Sequence, residues 1–274
     1  MKRCLCYLIW SVSGLSLAGG QVLAHDPVFS PGPHVLYKEG IDIHLGTARE
    51  KAGEARNAGV ELALTYGLTG NWAAGVELPY RRVEAGERSA TGPGDALLFT
   101  KFRFWRDDRL GVQESAAVLL NVMLDNGDET TVPAVGSGST DTLLGLTYGY
   151  ESRRWYRWAS FRYRRNGVSE AGLRRGDKLF VDLVVGLRPK PPVYLQPDTV
   201  WILELNGENS RRSRVNGVPQ DATGGTQWFV SPGIFWTLRN FAIKAGVQVP
   251  VVDNMKGDRG GADYRGVLEF EWHL

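Results

Sequence analysis

The sequence predicts an all-β protein: a closed antiparallel transmembrane β-barrel of about 12 strands, with short periplasmic turns and long extracellular loops. Three observations lead to this fold class. Apolar and polar residues alternate in many segments, and the connections between those segments alternate in length. The chain is also rich in Trp (9), Tyr (10), Phe (10) and Gly (34), a composition that suits strands and turns.

The final segment, "GVLEFEWHL" at 266–274, shows the residue alternation most clearly. Because side chains along a strand point alternately to its two faces, each set of alternate residues shares one side. One side is apolar and the other mostly charged: Leu268, Phe270, Trp272 and Leu274 against Val267, Glu269, Glu271 and His273. Similar patterns predict strands at roughly 35–46, 58–68, 71–83, 95–106, 111–124, 141–151, 154–165, 178–188, 199–206, 226–238, 241–252 and 263–274.

The connections between these strands are the second signal. Those after even-numbered strands are mostly tight, as at Thr69-Gly70 and Arg239-Asn240. Those after odd-numbered strands are long, polar and Gly-rich, at 47–57, 84–94, 125–140, 166–177, 207–225 and 253–262. Alternating lengths are typical of barrels whose short turns face the periplasm. Because lipid offers the backbone no hydrogen bonds, the sheet must close, so the last strand is predicted to pair with the first.

The first 24 residues have the pattern of a secretory signal peptide. Lys2 and Arg3 precede an apolar stretch that is too short for a spanning helix, and Val22-Leu23-Ala24 gives small residues before a cleavage site at His25. Both cysteines, Cys4 and Cys6, lie in this segment, so the mature protein is predicted to contain no disulfide or thiol site. The predicted location is the bacterial outer membrane.

Three regions follow from this division. Residues 1–24 are the signal peptide, residues 25–34 a periplasmic segment, and residues 35–274 the barrel. The periplasmic segment carries Pro27, Pro31 and Pro33, and it is predicted either to remain a flexible tail or to lie across the mouth or in the lumen as a small plug.

The charge balance excludes one class of partner. Of 32 Lys and Arg residues, removal of Lys2 and Arg3 leaves 30, which equals the 30 Asp and Glu residues. A neutral mature chain is not expected to bind nucleic acid. No cofactor is predicted.

The face opposite the apolar one is predicted to line the lumen, and it carries both signs of charge. The candidates are Lys38, Asp42, His44, Glu61, Glu77, Arg81, Lys101, Arg103, Arg162, Arg164, Asp182, Glu204, Lys244, Arg265, Glu269 and Glu271. One interpretation is a polar channel whose charges set selectivity. The other is a filled barrel in which these charges pair and hold the strands in register.

The histidines suggest a metal site near the barrel seam. Closure brings the first and last strands together, so His25, Asp26, His34 and His273 are predicted to gather at the periplasmic mouth. Imidazole and carboxylate groups suit Zn²⁺, Cu²⁺ or Ni²⁺. The alternative is that these groups lie in a flexible tail and at a solvated terminus, with no shared ligand.

The mature start, "HDPVFSPGPHVLYKEG" at 25–40, followed by a barrel of this size, resembles outer-membrane transporters of the MetA-pathway phenol-degradation type. It is more distantly similar to FadL-like channels for hydrophobic compounds. The resemblance implies passage of small molecules, aromatic or apolar ones among them, across the outer membrane. It brings no catalytic motif.

The predicted function is therefore a non-enzymatic channel or transporter for small solutes. A structural or adhesion barrel acting through its loops is the alternative. A lipid-modifying enzyme is disfavoured because Ser115, Ser160 and Ser231 have no His nearby in the sequence and no GxSxG motif occurs. Outer-membrane lipid is a predicted partner, with lipopolysaccharide phosphates at the Arg-rich loop "NSRRSRVNG" (209–217). The barrel-assembly machinery is predicted to bind the last strand, which ends on Leu274 where Phe is usual.

Overall fold

A computed structural model describes residues 26–190, 196–257 and 260–274, and these residues form a closed antiparallel barrel of 12 strands. The predicted signal peptide and His25 lie outside the described residues. Within the described part of the chain, no helix is long and apolar enough to cross a membrane.

The barrel strands, numbered in chain order, pair each with the next. They are β1 (Ile41–Ala52), β2 (Ala55–Thr69), β3 (Trp72–Ala85), β4 (Leu97–Arg109), β5 (Val112–Met123), β6 (Asp141–Ser152), β7 (Trp155–Arg165), β8 (Lys178–Leu187), β9 (Asp198–Ser210), β10 (Gly225–Leu238), β11 (Phe241–Asp253) and β12 (Tyr264–His273). As the alternation predicts, β12 closes the sheet on β1, with Ile43 opposite Trp272 and Leu45 opposite Phe270.

The two faces of the sheet differ as the sequence pattern requires. On β6, Leu144 and Leu146 are 61% and 49% exposed, whereas Leu143 and Thr147, which flank this pair along the strand, are buried. The exposed apolar side chains form an outer surface suited to lipid, and the inner face is mostly polar. Aromatic rings cluster at the periplasmic ends of β11 and β12, where Phe241 and Trp272 lie 5.2 Å apart between ring centroids. This placement is typical of a membrane interface.

The first strand begins six residues later than the predicted residue 35. Residues 37–40 form a turn, in which the Gly40 amide donates to the Tyr37 carbonyl (3.0 Å) and Glu39 has a positive φ of 64°. Lys38 lies in this turn with its side chain 67% exposed, 3.3 Å from Glu39. Its predicted position in the lumen is therefore wrong, because the chain has not yet entered the sheet.

The first two predicted loops are also shorter than expected. Strands β1 and β2 continue beyond the predicted loop start at 47 and meet at Ala52 and Ala55, so Gly53 (φ 59°) and Glu54 alone form the turn. The predicted loop 84–94 contains a short strand, Arg88–Pro93, which pairs back on β3. The polar and small residues of these two segments form hairpins, in which their backbone amides and carbonyls are hydrogen-bonded between strands. The loops are shorter for that reason.

A charged substitution tests which face meets lipid. Leu203, in the middle of β9, is 49% exposed, so Leu203→Arg is expected to lower the free energy of unfolding in lipid by about 2–4 kcal/mol. Asn209→Arg, near the extracellular end of the same face, is the matched control and is expected to cost at most about 1 kcal/mol. Equal losses, measured by urea titration in vesicles, would contradict a lipid-facing Leu203.

Candidate functional site: the lumen and the N-terminal segment

The structure directs 15 of the 16 lumen candidates to the inner side of the barrel, Lys38 being the exception. Buried are Asp42, His44, Glu77, Arg81, Lys101, Arg103, Arg162, Asp182, Glu204, Lys244, Arg265, Glu269 and Glu271, and half-buried are Glu61 and Arg164. The strand period places them there, because each alternates with the apolar side chains of the outer face. Whether they line an open path depends on what else occupies the lumen.

Residues 26–34, hereafter the N-terminal segment, lie inside the barrel. Val28, Phe29 and Ser30 are at most 3% exposed. The carboxylate of Glu204, on β9, accepts hydrogen bonds from the backbone amides of Val28 (2.8 Å) and Phe29 (3.0 Å). It also accepts one from the hydroxyl of Ser30. A single buried carboxylate therefore holds three consecutive residues of the segment.

Two further strands bind the same segment. Lys101, on β4, donates from Nζ to Asp26 Oδ2 (2.7 Å) and to the Gly32 carbonyl (2.8 Å). The hydroxyl of Thr147, on β6, donates to the Pro31 carbonyl (2.9 Å). Lys101 and Asp26 are both almost fully buried. Each neutralises the charge of the other, and an unpaired buried charge would destabilise the fold. The segment is thus fixed from β4, β6 and β9.

Apolar contacts complete the fit. Val28 and Phe29 belong to a buried cluster with side chains of five barrel strands: Tyr156, Trp158, Val184, Val200, Ile202, Phe235 and Ala242. Glycines on the inner face leave the required room. A Cβ at Gly233 would lie 2.8 Å from Val28, and one at Gly246 would lie 2.9 Å from Phe29. Larger residues at these positions would displace the segment.

Burial shifts the acid–base behaviour of the segment. It raises the pKa of the Asp26 carboxyl from 3.8 to about 6, although the ammonium of Lys101 opposes this shift. Burial alone would lower the pKa of His34, but the carboxylates of Glu151, at the end of β6, and Asp26 together outweigh burial, so that pKa is raised above 6.5. Both groups therefore hold their protons more tightly in the lumen than in water.

Several inner charges are paired, some between neighbouring strands and some between strands further apart. Arg162 donates to Asp182 (2.7 Å), which also accepts from Ser160 (2.5 Å). Arg265 pairs with Glu50 (2.6 Å) and with Glu208. These contacts have the geometry of the filled-barrel interpretation, in which charges hold the strands in register.

The extracellular mouth is narrowed by the connection 124–140. Asp95 accepts hydrogen bonds from the amides of Gly127 (2.9 Å) and Ser137 (2.6 Å), which draws this connection over the barrel. A cavity lined by Asn57, Arg81 and Val135 remains beneath it. The lumen is therefore restricted at both ends, by the connection on one side and by the N-terminal segment on the other.

The predicted metal set does not assemble. Asp26 pairs with Lys101, His34 contacts Glu151, and His273 Nδ1 lies 2.9 Å from Asp42 Oδ1. These three do not form a group of ligands within reach of one ion, and His25 lies outside the described residues. The prediction is wrong because the N-terminal segment continues into the lumen instead of folding back on the seam.

Sequence reasoning missed how the segment is held. It named Glu204 and Lys101 as lumen candidates, but not as the anchors of Ser30 and Asp26, and it did not single out Thr147. In each of these contacts the two residues are at least 69 positions apart in the sequence, so no local spacing predicts the pair. The proline content of the segment was the one usable signal.

Two solved structures share the fold. The COG4313 outer membrane channel from Pseudomonas putida F1 aligns over 88% of this chain and 98% of its own, at 14% identity and a TM-score of 0.69. The NanC porin aligns over 85% of this chain and 100% of its own, at 11% identity and a TM-score of 0.53. At these identities the likeness establishes the barrel fold. None of the curated proteins matches this sequence.

A sequence family matches most of the chain. The family described as "Putative MetA-pathway of phenol degradation" aligns with residues 24–264, which include the N-terminal segment, β1 to β11 and the first residue of β12. This extent goes far beyond half of the chain. Together with the barrel and its polar inner face, it shows that this protein belongs to the MetA-pathway phenol-degradation family of outer-membrane β-barrels.

Proposed function

We propose that this protein is a bacterial outer-membrane channel for small solutes, which the N-terminal segment closes as a plug. The observation that carries the proposal is the anchoring of Val28, Phe29 and Ser30 on Glu204 inside the lumen. A segment held by side-chain hydrogen bonds, ion pairs and apolar contacts can leave without breaking the barrel wall, whose strands remain paired to one another. Residues 1–24 direct the chain out of the cytoplasm as a signal peptide.

The proposed solutes are aromatic or apolar. When the segment leaves, Val28 and Phe29 vacate a surface formed by Tyr156, Trp158 and Phe235. Aromatic side chains of this kind bind flat apolar molecules well, because ring stacking adds to apolar burial. The family's association with phenol degradation agrees with this class of solute.

The lipid surface supplies the remaining proposed partners. Five arginines line a cavity in the extracellular connections: Arg174, Arg175, Arg211, Arg212 and Arg214. Guanidinium groups bind phosphate in two-point contacts, so this surface suits lipopolysaccharide phosphates. The last strand is the proposed signal for the barrel-assembly machinery.

The contacts of the inner serines do not favour an enzymatic role. The hydroxyl of Ser160 donates to Asp182 (2.5 Å), and that of Ser231 donates to Asn206 (2.6 Å). A nucleophilic serine requires a base such as imidazole as its hydrogen-bond partner. The polar contacts of these two serines are those of structural groups.

Conductance in a planar bilayer tests the proposed function directly. The refolded protein is expected to show brief or rare openings, and a variant lacking residues 26–34 is expected to show steady, larger steps. The physical reason is that the deletion removes the buried segment from the conducting path. If neither form conducts, with folding confirmed by heat-modifiable gel migration, the channel is refuted. Equal steady conductance of both would refute the plug.

A thiol placed in the segment tests the anchor on Glu204. Because Cys4 and Cys6 lie in the predicted signal peptide, Val28→Cys gives the mature protein a single thiol. It is expected to resist maleimide in the otherwise unchanged protein and to react roughly tenfold faster or more with Glu204→Ala, which removes the acceptor of three hydrogen bonds. Ser160→Ala, whose hydroxyl donates to Asp182 and not to Glu204 in the described hydrogen bonds, is the control. Unchanged protection with Glu204→Ala would contradict the anchor.

Rising pH is expected to release the segment. Asp26, which faces Lys101, Lys244 and His34, has a pKa of about 6 in the lumen against 3.8 in water. Its proton therefore stabilises the docked segment at low pH, and this stabilisation is lost as the pH rises from 3.8 to about 6. His34, which faces Glu151, Asp26 and Lys101, has a pKa raised above 6.5, so its contribution is lost above that pH.

The matching measurement is open probability at about pH 5 and about pH 8. We expect an increase with pH in the unchanged protein and a flatter profile in the double variant Asp26→Asn, His34→Gln. An open probability that falls with pH would contradict the assignment of these two groups.

A further inference from the structure

A second set of inner side chains converges at the seam of the barrel, outside the N-terminal segment. His44 lies on β1, Glu61 on β2 and Glu269 on β12. One nitrogen of His44 and one carboxylate oxygen of each glutamate lie within 4.8 Å of one another. Adjacent strands bring these groups together, since Gly46 is opposite both Glu61 and Glu269 in the pairing register.

His44 is the unusual member of this set. The residue is 0% exposed, and neither ring nitrogen has a hydrogen-bond partner among the described residues. Its Nε2 lies 3.6 Å from Glu269 Oε2, which is beyond hydrogen-bond distance. Buried polar atoms are normally satisfied, so an imidazole enclosed without a partner indicates a missing ligand.

Gly46 lets the side chains of Glu61 and His44 pack closely against the backbone of β1. A Cβ at Gly46 would lie 2.8 Å from Oε1 of Glu61 and 3.0 Å from Cε1 of His44. Any residue larger than glycine would therefore displace the imidazole and the carboxylate from the positions in which they converge. The glycine is an observation independent of the charges.

The surrounding charges favour a cation. Glu271 adds a third carboxylate beside Glu269 on β12. One positive charge lies among these carboxylates: Nζ of Lys244, on β11, is 3.0 Å from Glu269 and 2.7 Å from Glu271. Lys244 retains Glu271 as a partner when Glu269 turns to another cation. Two neighbouring carboxylates that share no metal repel each other, so a divalent ion would relieve this repulsion.

We propose that His44, Glu61 and Glu269 bind a divalent transition-metal ion, with Zn²⁺ the best match. One imidazole and two carboxylates form a ligand set used by such ions, and Zn²⁺ takes nitrogen and oxygen ligands at about 2.0–2.2 Å. Tetrahedral ligands at that length lie about 3.4 Å apart, so the glutamate side chains close by roughly 1 Å on binding. Lys244 and Glu271 form the outer shell that orients Glu269.

The expected consequence is a metal link across the seam. The ion joins β12 to β1 and β2 at the place where the sheet closes on itself. A ligand that binds the folded barrel and not the unfolded chain raises its stability. This site is independent of the proposed channel and of the N-terminal segment, since none of its three ligands contacts residues 26–34 in the described hydrogen bonds and ion pairs.

The test is metal titration of the mature protein, refolded in chelator and then freed of it. Co²⁺ is the spectroscopic probe, because its visible absorption reports coordination, and Zn²⁺ affinity is measured by competition with a chromophoric chelator. We expect about one ion per chain, bound tighter than roughly 10 μM, and a higher Zn²⁺-dependent unfolding temperature. Gly46→Ala is expected to weaken Zn²⁺ binding, because the added methyl fills the cradle.

The ligand variants decide the outcome. His44→Ala is expected to weaken binding tenfold or more and to abolish the Zn²⁺-dependent rise in unfolding temperature, whereas His273→Gln leaves both unchanged. If His44→Ala does not refold, as judged by heat-modifiable gel migration, Glu61→Gln carries the same expectation. No binding by the unchanged protein at about 1 mM Zn²⁺, or equal affinity in the ligand variants and the His273→Gln control, would overturn the site.

Discussion

Closure of the sheet is the constraint on which the rest of this structure depends. Lipid cannot satisfy backbone amides and carbonyls, so each strand needs two neighbours, and β1 must meet β12. That requirement fixes the register, and the register fixes which residues point inward. Outside, leucines and aromatic rings meet the membrane. Inside, the same strands present Lys101, Glu204 and their neighbours to a narrow space, where these side chains are buried.

A second constraint acts on the inner side of the barrel: buried charges need partners of opposite charge. Some charges pair between adjacent strands, as Arg162 does with Asp182. Others pair with the N-terminal segment, as Lys101 does with Asp26. The interpretations of the lumen as filled or as a channel are therefore compatible: pairs within the wall hold its shape, and in the proposed function the pairs to the segment are the ones that keep the channel closed.

The segment and the seam illustrate two uses of inner glycines. Gly233 and Gly246 leave room for Val28 and Phe29, which places an apolar patch in an otherwise polar lumen. Gly46 leaves room for His44 and Glu61, which converge against its backbone. In both places the absence of a Cβ on one strand determines which side chains fit inside the barrel. An added methyl group there would displace those side chains.

Alternation with period two is a local property that lipid and backbone pairing make strict, so the barrel class, the strand number and the face of most inner residues can be predicted from the sequence. Sequence reasoning misplaced Lys38 and the first loops, since strand ends depend on where neighbouring strands stop pairing. Only the tertiary structure decided which inner residues meet. The contacts of Glu204 with Ser30 and of Glu269 with His44 join residues 174 and 225 positions apart, and closure, rather than any local pattern, brings them together.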